Sequence, residues 1–289
     1  MIQYNPKNWL TLIFQFHRST QMRLLLPNLF IIAAYTSALA YVELEYLGWT
    51  IDPKVSIHGL IGVVLGLVLV FRTNTAYDRW WEGRKLWGAL INHSRNSAIK
   101  INSMLDPADT ETRVYFSRTI ANFAIALKSH LRKQKNLEEL DFEGLDYADS
   151  LKKTGHVPNT LVNALQKRLN KLLKENKITG DQFRVANREL EGLIDVLGGC
   201  ERIMKTPIPY SYSMWVKKVI FIYLITLPLG LITALHYWAI PATVFVAYTL
   251  AGLELIGEEI EDPFGTDVND LNTEDMAATI KNNVAEILT

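Results

Sequence analysis

Four stretches of this sequence carry no charged side chain: Leu24 to Val42, Val55 to Phe71, Val219 to Leu235 and Ala239 to Leu253. A hydrocarbon layer of roughly 30 Å takes about 20 helical residues, with ~17 as the lower limit. The first three stretches reach that length and the fourth falls just short. It follows the third after only HYWAI, Pro241 begins the next helix, and Tyr237 and Trp238 are interface-seeking aromatics, so the pair reads as a helical hairpin across a bilayer. Four transmembrane helices are expected. The average composition hides this, because 49% hydrophobic content with 30 Lys+Arg against 30 Asp+Glu resembles a soluble protein. A net charge of zero gives no ground for nucleic-acid binding. The single cysteine, Cys200, excludes an internal disulfide framework and a multi-cysteine zinc site; it reads as a small packed side chain. The first stretch reads as retained, since NWLTLIFQFHRSTQMR precedes it and AYVELEY is a poor cleavage site.

Positive charge gathers on the cytoplasmic side of membrane spans. Lys7, Arg18 and Arg23 precede the first stretch, and Arg72, Arg79, Arg84 and Lys85 follow the second. Arg202, Lys205, Lys217 and Lys218 precede the third. Between the first and second, only Lys54 stands against Glu43, Glu45 and Asp52, and the loop from third to fourth holds no Lys or Arg. Both termini and the long middle segment are therefore expected in the cytoplasm of a multi-pass inner-membrane protein. The expected organisation is an interfacial segment over residues 1–23, spans one and two over 24–71, a cytoplasmic helical domain over 72–218, spans three and four over 219–257, and a cytoplasmic segment over 258–289. The middle is read as helical from the apolar spacing in ETRVYFSRTIANFAIALKSHLRK, PNTLVNALQKRLNKLLKEN and DQFRVANRELEGLIDVLGG. The acidic, turn-rich Asn136 to Pro158 reads as an exposed loop. Trp9, Leu10, Leu12, Ile13, Phe14 and Phe16 suggest a short helix in the membrane interface or against a neighbouring subunit. The fold class is all-α.

The second stretch runs on without proline into a charged segment, SIHGLIGVVLGLVLVFRTNTAYDRWWEGRKLWGALINHSRN. Val63, Leu67 and Phe71 are four apart and form one ridge. Gly59, Gly62 and Gly66 lie on other faces, Gly62 and Gly66 at the spacing that allows close helix approach. By spacing alone a packed core stripe is the commoner meaning of such a ridge. Its continuation, however, reaches Asn74, Thr75 and Asp78. An apolar ridge that turns polar in register suits a helix lining a water-filled passage, with the apolar part gating by dewetting. Trp80, Trp81 and Trp87, with Arg79 and Arg84, would anchor it at the headgroups or to the cytoplasmic body.

FRTNTAYDRWW after a glycine-rich span, IPYSYS before the third span and EDPFGTDVNDL after the fourth together resemble the bestrophin family, in its bacterial branch, over nearly the whole chain. The resemblance implies a funnel-shaped homopentamer around a central pore, in which the second helix of each subunit lines a narrow hydrophobic neck leading to a cytoplasmic vestibule. Counting back from Arg79, the family's three neck positions match Val63, Leu67 and Phe71. A second constriction at the cytoplasmic exit falls in TGDQFRVANREL, with Phe183 as candidate, and IPYSYS shapes entry to the third span, where Pro209 fixes the backbone. Animal members build a calcium clasp from an acidic run after NPFG. Here Asp262, Asp267 and Asp270 supply vestigial carboxylates, but Thr266, Val268 and Asn269 stand where that pattern is acidic, and calcium takes six to eight oxygens. A weakened or absent clasp is expected, no cofactor is required, and Asp267 and Asp270 become candidates for helix caps or interface acids.

The expected activity is conduction of monovalent ions: chloride by family default, or sodium-type cations as in a bacterial-branch variant. Arg72 lies ~100° around the helix from Phe71 and points away, whereas Asp78 returns to nearly the same face. The expected partners are further copies of the chain, the lipid bilayer and the permeant ions. A membrane enzyme would need a nucleophile, acid pair or metal ligands at depth; the spans offer only His58 and scattered Ser and Thr. The six histidines, His17, His58, His93, His130, His156 and His236, show no ligand spacing and read as packing or surface residues. A helical scaffold anchored in the membrane without conduction is the other rival, and nothing indicates the inverted repeats of a transporter.

Overall fold

The computed structural model describes residues 20–48 and 55–288; the expected interfacial segment near Trp9 and the loop around Lys54 lie outside them. Every regular element among the described residues is helical. In chain order these are α1 (Thr20–Tyr41), extended by a π-helical turn Val42–Leu47, α2 (Val55–Met104), α3 (Thr110–Leu131), α4 (Ala148–Lys153), α5 (Val157–Lys174), α6 (Gly180–Lys205), α7 (Tyr210–Leu235), a 3₁₀ turn His236–Trp238, α8 (Ala239–Glu261) and α9 (Thr273–Leu288).

The chain forms two compact units, one made of residues up to Arg79, Pro207–Asp262 and Asp267–Asn269, the other of Trp80–Thr206, Pro263–Thr266 and the residues from Asp270. The long helix α2 belongs to both. Among the described residues, three stretches are long and apolar enough to cross a membrane: 23–47, 57–104 and 210–261. Within the third, the helix stops at His236, whose φ of 49° is left-handed, and the chain doubles back so that α8 packs along α7. Tyr237 at this turn donates its hydroxyl to Glu45 Oε1 at 2.9 Å, and Tyr35 of α1 donates to the Ile225 carbonyl at 3.0 Å. These bonds fix α1 against the hairpin.

In the second unit α3 is central, contacted by α5, α6 and α9. Phe116, Ile120, Phe123, Ala124 and Leu127 are wholly buried, so this helix is covered nearly all round. The surrounding α5 and α6 turn Leu161, Leu165, Leu169 and Leu172, and Leu190, Leu193 and Leu197, inward. Thr179 and Gln182 close a reciprocal capping box at the start of α6. Both α3 and α5 end in paired backbone bonds of the Schellman type, Gln134 N–H to Ser129 O and Lys177 N–H to Leu172 O, each 2.9 Å. The left-handed residue is Lys133 in one and Asn176 in the other.

One expectation is corrected. Asn136 to Pro158 is not simply an exposed loop, because Leu140, Leu145, Tyr147 and Leu151 are buried in the core and α4 lies within it. The charged residues between them face water, and that alternation at irregular spacing conceals the apolar anchors from a composition-based reading.

Candidate ion-conducting path

Two faces of α2 differ in what they touch. Leu65, Leu69, Arg72 and Ala76 are buried, at the spacing of one helical face. Leu65 and Leu69 pack with Val216, Ile220, Tyr223, Leu224 and Leu227 of α7. A Cβ on Gly62 would lie 2.8 Å from the Tyr223 hydroxyl, so a bare α-carbon is what lets α7 come this close. Beyond its own helical turn, such a Cβ at Gly59 or Gly66 would meet no atom of the described residues within 4 Å.

The other face points away from the first unit. Val63, Leu67 and Phe71 are 72%, 56% and 59% exposed, and Asn74, Thr75 and Asp78 are exposed beyond them. Covering side chains of this size stabilises by about 1.5–3 kcal/mol each, so an apolar ridge bare in the single chain has a strong drive to be covered. The Thr75 hydroxyl donates to the Phe71 carbonyl at 2.9 Å and Thr73 does the same to Leu69 at 2.9 Å, so neither offers its proton outward. Asn74 and Asp78 are the exposed amide and carboxylate on this line.

Arg72 is turned from it, at 1% exposure. Its Nη2 donates to Glu261 Oε2 at 2.7 Å, and Glu254 lies 3.7 Å from its Nε, beyond hydrogen-bond length but close enough for strong coulombic attraction at low dielectric. Glu261 also accepts from the Ile208 N–H at 2.7 Å, and its carbonyl accepts from Arg79 at 3.0 Å. One acidic residue at the end of α8 thus fixes the rotation of α2, through Arg72 and Arg79, and the start of the α7 segment. Glu254 and Glu261 are not among the residues expected from the sequence; the signal for them is an arginine directly after an apolar span, which needs a buried partner.

The remaining predicted residues are placed as follows. Asp262 and Asp267 are exposed and Asp270 is buried. The nearby Glu259 carboxylate accepts the Asn269 N–H at 3.0 Å, and α9 is capped by Asn272, whose Oδ1 accepts from the Asp275 N–H at 3.3 Å. Two exposed carboxylates fall short of the six to eight oxygens calcium takes, and no step is assigned to that ion. Phe183 is partly buried against the core of the second unit, while Val185 is 47% exposed. Spacing did not reveal that His130 and His156 meet at Glu201, or that His93 meets Glu189. These partners are 45 to 96 residues apart, so no local pattern marks them.

Long apolar helices bare of partners on one side, in a chain whose other unit is a well-packed helical body, define an α-helical membrane protein. The sequence profile described as Bacterial/Fungal Bestrophin protein matches residues 1–286. A Synechocystis protein named voltage-dependent anion channel-forming protein sll1024 is 33% identical over 98% of this chain and 93% of its own length. Its namesake mll4386 from Mesorhizobium japonicum is 35% identical over 100% and 92%. A crystal structure of a bacterial bestrophin homolog from Klebsiella pneumoniae superimposes with a TM-score of 0.80 at 28% identity, covering 91% of this chain and 97% of that one. The chain belongs to the bacterial and fungal bestrophin family, a family of ion channels and not of enzymes.

Proposed function

We propose that five copies gather with their α2 helices around one axis, so that Val63, Leu67 and Phe71 line an apolar neck and monovalent ions pass through it. The observation that carries this is the exposed line on α2, which changes from large apolar groups to Asn74 and Asp78 without a break in the helix, while the opposite face is pinned by Leu65, Leu69 and Arg72. An apolar constriction closes by dewetting and opens when hydrated. In this reading α1, the first part of α2, α7 and α8 are the four spans of each subunit. The charge asymmetry supports placing the second unit and both termini on the cytoplasmic side of a bacterial inner membrane.

The relatives' names favour anions such as chloride. A second reading, cation conduction, is favoured by one pair of observations: the Arg72 charge is buried against Glu261, while the Asp78 carboxylate is exposed on the polar continuation. Five copies of Asp78 form a ring that attracts cations. For the cytoplasmic constriction, the partial burial of Phe183 favours Val185 as the residue free to project. Calcium control has no support beyond the vestigial carboxylates.

Purified protein in planar bilayers tests the proposal. The Val63→Ala, Leu67→Ala, Phe71→Ala triple variant raises current several-fold if the three residues are a neck and leaves it unchanged if the chain is a scaffold. Under a salt gradient the reversal potential moves toward the chloride or the sodium equilibrium value, and Asp78→Asn weakens selectivity only in the second case.

A further inference from the structure

We propose that His130, His156 and Glu201 form a binding site for a zinc-type divalent transition-metal ion in the second helical unit. The three come from separate elements: His130 from the last turn of α3, His156 from the residue capping α5, and Glu201 from the end of α6. Their ligand atoms lie within 4.8 Å of one another, and no other such group of His, Cys, Asp or Glu occurs among the described residues. Both imidazole Nε2 atoms lie 2.7 Å from the same Glu201 Oε1, with ring centroids 4.4 Å apart.

Two imidazole nitrogens and one carboxylate oxygen are a borderline-soft donor set, suited to zinc and its neighbours; calcium and magnesium ask for oxygens alone. Without metal, both Nε2–H groups donate to one oxygen. A metal ion takes the place of those two protons and binds all three atoms. Ligands on a tetrahedral ion with bonds of about 2.0 Å sit roughly 3.3 Å apart, so the two Nε2–Oε1 distances, each 2.7 Å without metal, lengthen by about 0.6 Å. His156 Nδ1 accepts the Asn159 N–H at 3.3 Å, which keeps the proton on Nε2 in the metal-free state. On binding, each displaced proton moves to the Nδ1 of its own ring, and in His156 this long contact gives way.

The surroundings permit entry. All three side chains are partly exposed, and His130 edges a small open cavity with Ser129, Lys135, Gly155 and Pro158. Lys205 holds the other Glu201 oxygen at 2.8 Å, but it is mostly exposed and swings away at little cost. The buried Cys200 next in sequence is not among the convergent atoms. A bound ion ties together the ends of α3, α5 and α6 and stabilises the folded chain by mass action.

Full-length protein in detergent, stripped with chelator and titrated with zinc chloride, binds one zinc per chain and melts at a higher temperature; magnesium chloride does neither. His130→Gln and His156→Gln each weaken zinc binding by more than about 100-fold, beyond the loss typical of a supporting residue. X-ray absorption at the zinc edge reports two imidazole nitrogens, a readout independent of how the variants fold. Wild-type protein that takes up no stoichiometric zinc, an all-oxygen or sulfur-bearing ligand shell, or folded variants that bind as tightly as wild type would overturn the site. No measurement here involves conduction, so the result stands apart from the pore reading.

Discussion

The two units of this chain put hydrophobic side chains to opposite uses. In the second, Trp87, Phe116 and Phe123 are wholly buried and one continuous cluster joins α2, α3, α5, α6 and α9. In the first, Phe30, Phe221 and Phe245 are 65% or more exposed, as is Val63, and the buried cluster is small. A core that closes on itself is complete in one copy. Helices that leave their largest groups outward are complete only when lipid or further copies cover them. The same residue type therefore reports folding in one unit and surroundings in the other.

The sharpest way to break this contrast is to delete one aromatic ring from each unit. Phe123→Ala, which empties a filled position in α3, costs about 3–5 kcal/mol and lowers the melting temperature steeply. Phe71→Ala removes the same ring from an exposed position; in detergent it shifts melting little, and in bilayers it raises current. Equal melting losses would mean that Phe71 is a core residue and the ridge is not a pore wall.

Next in size is the buried arginine. Arg72→Met leaves the Glu261 and Glu254 carboxylates without their cation, and breaking a buried pair in this way costs about 3–5 kcal/mol at most. Because Arg72 faces away from the exposed line, the variant lowers thermal stability without moving the reversal potential. A selectivity change with unaltered melting would place Arg72 in the conducting path and undo the rotation assigned to α2.

How far the sequence disclosed all this depends on which kind of signal each feature leaves. The helical segments were legible because period and length are local: PNTLVNALQKRLNKLLKEN coincides with α5 and DQFRVANRELEGLIDVLGG falls within α6. The ridge of Val63, Leu67 and Phe71 was legible as a ridge, but spacing alone could not separate a core stripe from an outward face. Exposure separates them, and it follows from Gly62 and Leu65 docking on α7. The anchors Leu140 and Tyr147 were not legible, since an irregular run has no period to betray which residues turn inward. Of the partners across long separations, Arg72 with Glu261 left only the place of the arginine directly after an apolar span, and His130 with Glu201 left no local trace.

A smaller effect sharpens the account of that docking. Gly62→Ala sets a methyl group 2.8 Å from the Tyr223 hydroxyl and costs about 1–3 kcal/mol as overpacking. The next ring atom, Cζ, is at 3.5 Å, an ordinary contact, so adding Tyr223→Phe relieves most of the loss. Melting of the four proteins in a double-mutant cycle measures the coupling. Additive losses would show that Gly62 and Tyr223 do not touch and that α2 is turned differently about its axis.

The smallest effect lies in the second unit, where a charged contact joins α2 to α6 beside their apolar packing. Glu189 accepts from His93 at 2.8 Å and from Lys100, and Gly192 makes room for the His93 ring, which a Cβ there would meet at 2.5 Å. Burial pushes the Glu189 pKa up, but hydrogen bonds from Lys100 and His93 outweigh it and hold the carboxyl below its ordinary value of 4.5. A group whose folded pKa is depressed adds stability that is fully present above the unfolded value and is lost as pH falls through the folded one. Lys100 and His93 are roughly one-third exposed, which screens the interaction to about 1 kcal/mol. Glu189→Gln therefore melts lower than wild type at neutral pH, and the gap narrows as pH drops below about 4.5. A gap independent of pH would mean that Glu189 joins these helices by shape alone, as the apolar contacts around it do.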